Sequence, residues 1–76
     1  MKTYLRIGSD SLEQATAHRT MADAVAEFEE AARELDRYGQ AIEASIHFAP
    51  NRAAIAEYPD RVLSLGPRGG VKIERT

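Results

Sequence analysis

Seventy-six residues with a net charge of −2 are enough for one hydrophobic core and no second domain. A hydrophobic share of 43% beside 29% charged residues excludes a disordered chain, and no apolar run nears the roughly 20 residues that span a bilayer. The lack of cysteine excludes both a disulfide framework and a thiolate metal site. In chain order, Lys2 to Gly8 alternates, with Thr3, Leu5 and Ile7 on one side and Lys2, Tyr4 and Arg6 on the other, which predicts a half-buried strand. Gly8-Ser9-Asp10-Ser11 is a turn signal. Leu12 to Arg19 fits either a short helical turn capped by Ser9 or Asp10, or a second strand with Ala15, Ala17 and Arg19 on one face. The hairpin is preferred, because a long structureless loop is uncommon in so small a domain.

The stretch from Thr20 to Gly39 carries the strongest pattern. Met21, Ala24, Val25, Phe28, Ala31, Ala32, Leu35 and Tyr38 recur at the spacing of an amphipathic helix. Thr20 is placed to cap its first amides with Asp23 three residues on, and Gly39 to end it in the left-handed region. Beyond it, Ala41 to Ala49 predicts a strand with Ile42, Ala44, Ile46 and Phe48 on one face and Glu43, Ser45 and His47 on the other. Pro50-Asn51 ends that strand, and Arg52 to Tyr58 reads as one Asn51-capped turn or an irregular edge. Arg61 to Gly66 and Val71 to Arg75 predict two strands joined by the Gly66-Pro67-Arg68-Gly69-Gly70 loop. The expected fold is α+β: one long amphipathic helix on one face of a four- to five-stranded, mainly antiparallel sheet. Leu5, Ile7, Phe28, Leu35, Ile42, Ile46, Phe48, Leu63, Leu65, Val71 and Ile73 form the expected core.

Charge is segregated along the chain. Met21 to Tyr38 holds six acids against two bases, a local charge of −4, which leaves the flanking segments at +2. Asp23, Glu27, Glu30 and Glu34 fall on one helical stripe, and these four are the candidate partner-binding residues. Carboxylates spaced along a rigid rod suit a partner's basic surface, whereas acids exposed on one helix have no cause to shift their pKa values toward acid–base catalysis. His18 and His47, far apart in sequence, do not make a metal-ligand pattern, and His47 on the polar side of its strand reads as a solvated histidine. The glycine loop lacks the Lys-Ser/Thr and following helix of a phosphate loop. Lys2, Tyr4, Arg6, His47 and Lys72 would share the open sheet face, but one or two aromatics and an acidic chain argue against direct nucleic-acid binding.

In size and element order the chain resembles the small anti-CRISPR proteins of bacteriophages, compact domains that often set a helix on a small antiparallel sheet with an acidic surface. The resemblance covers the Thr3–Gly8 strand, the Thr20–Gly39 helix and the later strands, and it carries no functional residue across by motif. It implies a non-enzymatic inhibitor that occludes a nucleic-acid-binding surface of a CRISPR effector complex. The expected partner is therefore a protein with a basic surface, with no cofactor, no metal, no membrane and a cytoplasmic location. The alternative is a homo-oligomeric structural or regulatory module, such as a homodimer, that pairs through a sheet edge. An RNA-binding sheet is the third reading.

Overall fold

The computed structural model describes all residues, 1–76, as a single α+β unit. Five strands, β1 (Lys2–Ile7), β2 (Thr16–His18), β3 (Glu43–Ala49), β4 (Arg61–Leu65) and β5 (Val71–Arg75), form one sheet in the order β2-β1-β3-β4-β5. Every neighbouring pair is antiparallel. Both β2 and β3 therefore run opposite to β1, which lies between them, and the single helix α1 (Met21–Asp36) carries the chain from one to the other.

Local chemistry sets the ends of α1. Thr20 sits extended at the N-cap and its hydroxyl accepts from the Asp23 amide at 3.1 Å, half of the expected capping box. At the other end Gln40 N–H donates to the Leu35 carbonyl and Gly39 N–H to the Asp36 carbonyl. This closes the helix with Gly39 at φ 73°, a conformation that costs a residue without a Cβ almost nothing. Tyr38, expected on the apolar face, falls in this turn instead and is exposed.

The helix packs diagonally, with contacts to β2, β1 and β4. Its buried residues are Ala24, Phe28 and Ala32, set against Leu5, Ala44, Ile46 and Leu63 of the sheet. Alanines on both surfaces let the helix backbone approach closely, and Phe28 fills the centre with no exposed area. Ile7, Met21, Val25, Ile42, Phe48, Leu65 and Val71 form a half-buried rim, and Leu35 is half-buried as well. Ile73 was expected in this core and is 48% exposed. It lies on the helix-facing side of the outermost strand, beyond the strands on which α1 packs.

The opposite face is covered at Tyr4 and His47, which corrects the expectation for those two, while Lys2 and Lys72 on the same face are exposed. The β1–β2 connection folds a 3-10 turn, Leu12–Gln14, and the β3–β4 connection a second, Arg52–Ala54, capped by Asn51 accepting from the Ala54 amide. Leu12 to Arg19 thus contains both elements weighed for it, a turn and then a strand. Tyr4, Ala15 and Ala49 make a second small core with Ile55 against it. Arg52 fastens this layer. One guanidinium nitrogen donates to the carbonyls of Leu12, Glu13 and Ala15, the last at 2.6 Å, while the guanidinium carbon stands 5.3 Å from the Tyr4 ring centre.

Phe28→Ala should lower the unfolding free energy by roughly 3–5 kcal/mol, since the flanking Ala24 and Ala32 are too short to fill the space left against Leu5, Ile46 and Leu63. Chemical denaturation followed by far-UV circular dichroism measures it, and a loss too small to detect would mean that Phe28 is not the centre of the core.

Candidate functional site

The outward face of α1 presents the acidic stripe. Asp23, Glu30 and Glu34 are exposed, and the span from Asp23 to Glu34 is about 17 Å at the helical rise. Glu34 is paired with Arg37 at 3.4 Å, and Glu29, on the neighbouring stripe, with Arg33 at 3.2 Å. Neither Asp23 nor Glu30 has an ion-pair partner within the chain. Glu27, Glu30, Ala31 and Glu34 line a shallow surface concavity, wide enough for a cationic side chain to lie among three carboxylates.

Glu27 departs from the uniform outward row expected of it. It bends toward β2, where its carboxylate meets His18 Nε2 and accepts from the Thr16 hydroxyl at 3.0 and 3.1 Å. Thr16 and His18 face the helix because they pair with Leu5 and Thr3 of β1, whose side chains point that way. Glu27 therefore ties helix to edge strand and also forms one wall of the concavity. This contact could not be read from spacing, because it depends on β2 lying beside β1.

A second polar cluster lies under the turn layer. His47, read from the sequence as solvated, is 1% exposed. Its Nδ1 is 2.8 Å from the Ala56 carbonyl and its Nε2 is 2.9 Å from Ser45 Oγ, while Arg6 Nε donates to the same Oγ at 3.2 Å. The donors fix the protons: Arg6 donates to Ser45, the Ser45 hydroxyl to Nε2, and Nδ1–H to Ala56. A Ser–His contact of this kind can activate a nucleophile, but here Ser45 is itself buried and its oxygen is occupied by Arg6. These contacts make a hydrogen-bonded relay, and no buried polar side chain is left unpaired.

Burial holds the His47 imidazole below its ordinary value of 6.5, and the Arg6 guanidinium adds to the effect, against the Ala56 carbonyl and Asp60, which pull the other way. No group of three or more His, Asp or Glu side chains converges as a metal site, and no helix is long and apolar enough to cross a membrane. The largest concavity, about 430 Å³, lies between the end of α1 and the β4–β5 turn and includes Asp36, Gln40, Glu43 and Leu65. No protein-family model, no curated protein and no solved structure matches this chain.

A histidine whose folded form favours the neutral state makes the unfolded chain bind more protons as pH falls below 6.5. Stability from this group is complete above that value and is lost as pH drops through the lower folded pKa. Unfolding free energies measured between about pH 7.5 and 5.5 should decline, and His47→Asn, though less stable at the upper end, should flatten that slope. An unchanged slope in the variant would assign the pH dependence elsewhere.

Proposed function

We propose that this protein is a non-enzymatic protein-binding module whose contact surface is the acidic face of α1. Asp23, Glu27, Glu30 and Glu34 bear the contact, Asp23 and Glu30 as free charges, Glu27 and Glu34 as walls of the concavity. The observation that supports this most is the exposure of Asp23 and Glu30 on a rigid helix with no ion-pair partner in the chain. Like-charged neighbours one turn apart cost a helix a few tenths of a kcal/mol each, a cost that a basic partner removes. Carboxylates about one helical turn apart also offer a partner's lysines and arginines a row of negative charge comparable to a phosphate backbone.

The partner on this reading is a protein with a basic, nucleic-acid-binding surface, and the likeness in size and layout to bacteriophage anti-CRISPR proteins makes a CRISPR effector complex the first candidate. The activity is then inhibition by occlusion, with no bond made or broken. Covering of the second sheet face favours it over the RNA-binding alternative, because Tyr4 is enclosed and offers no ring for a base to stack on.

Capture from a bacterial lysate on immobilised protein, compared with the D23K/E30K variant, tests the reading. A protein retained by the native chain should be released by moderate salt and bind the variant roughly tenfold more weakly. Equal retention by both, or retention insensitive to salt, would overturn it.

A further inference from the structure

The two edges of the sheet are treated differently by the chain. β2 is three residues long, and its Thr16 and His18 side chains are tied to Glu27. β5 has five residues, contains no proline, and is exposed from Lys72 to Arg75. An edge of this kind is a template for another strand unless something blunts it.

The hydrogen-bond phase of that edge follows from the ladder. Gly66 N–H donates to the Gly70 carbonyl, so in the β4–β5 register the pairs Ser64–Lys72 and Val62–Glu74 are the hydrogen-bonded ones. The same phase follows from the other side of the sheet. Gly8 N–H donates to Glu43, which turns the odd-numbered groups of β3 toward β1 and the even-numbered ones toward β4, and the alternation then passes through β4 to β5. The N–H and C=O groups of Val71, Ile73 and Arg75 therefore point away from the sheet.

We propose that β5 pairs antiparallel with β5 of a second copy of this chain, about a two-fold axis through Ile73. In this register the outward groups of Ile73 bond to those of Ile73 in the second copy, and Val71 and Arg75 bond to each other's counterparts. Lys72 and Glu74 fall opposite Glu74 and Lys72 of the second copy, at the closely spaced, non-hydrogen-bonded positions where side chains interact most. Lys72 and Glu74 already meet at 2.9 Å within one strand, so the pairing completes a quartet of alternating charge. The half-exposed Ile73 side chains, beyond the strands on which α1 packs, meet across the axis. Other registers lose this match. A centre at Lys72 or Glu74 keeps the hydrogen-bond phase but sets two lysines or two glutamates against each other. A centre at Arg75 opposes two arginines, a centre at Val71 leaves Lys72 facing Gly70, and a register that pairs odd with even residues turns each strand's outward groups and faces out of phase. Two joined edges make a continuous ten-strand sheet with a modest interface, so the dimer is reversible. The proposal is independent of the acidic face, since α1 takes no part in the pairing.

Sedimentation equilibrium of the full chain, from micromolar to millimolar, reads the outcome. The native chain should pass from monomer to dimer mass with no larger species. K72E opposes two carboxylates across the axis and E74K two ammonium groups, and each should raise the dissociation constant about tenfold with unchanged circular dichroism. An equimolar mixture of K72E and E74K restores both opposite-charge pairs across the axis, though not the pair within each strand, and should dimerise more tightly than either variant alone and close to the native chain. A native chain that stays monomeric at every concentration, a K72E variant that dimerises as well as native, or a mixture that stays as weak as either variant would overturn the proposal.

Discussion

A five-stranded sheet has two faces, and this chain has one helix to cover them. α1 closes one face with Phe28. The other carries Tyr4, Ser45, His47 and Ala49, too many buried groups to leave in water. The solution is a layer made of connections, the two 3-10 turns, held by a single cation. Arg52 collects three carbonyls from the end of the Leu12–Gln14 turn, the negative end of its small dipole, and covers the Tyr4 ring. Hydrogen bonds to a charged group contribute about 1.5–3 kcal/mol, and here they replace what a second helix would supply by apolar burial. Tyr4, Ala15, Ala49 and Ile55 are too few to hold both turns down unaided.

This closure decides which surfaces remain for other molecules. The face carrying Tyr4, Arg6 and His47 is spent on internal contacts, with the Arg6–Ser45–His47–Ala56 relay consuming its polar groups. Among the surfaces that stay exposed are the outer side of α1, where Asp23 and Glu30 have no ion-pair partner, and the edge of β5, where backbone groups are unpaired. The two differ in physics. One attracts by charge and weakens with salt, while the other matches by backbone register and alternating side chains.

Much of the fold could be read from residue order. The helix, its Thr20 start and its Gly39 stop were legible because periodicity and caps are local, and the strands at Lys2–Ile7, Glu43–Ala49, Arg61–Leu65 and Val71–Arg75 because alternation is local too. What was not legible depends on where strands lie beside one another. Alternation gives Ile73 the correct face but not its place in the outermost strand. It marks His47 as polar-side, and polar-side reads as wet unless a covering layer is known. That layer announces itself only through small residues and one arginine. Glu27 fits the acidic stripe by spacing, yet its contact with Thr16 and His18 requires β2 to lie beneath the helix.

The claim that the turns and Arg52 seal the second face can be tested through the three tyrosines. Tyr38 and Tyr58 are 73% and 88% exposed and Tyr4 is 2% exposed. Under mild nitration of the folded chain, followed by peptide mass spectrometry, Tyr38 and Tyr58 should be modified and Tyr4 spared, and Arg52→Ala should make Tyr4 reactive. Modification of Tyr4 at the rate of the other two in the native chain, or its continued protection in a folded Arg52→Ala variant, would contradict the account.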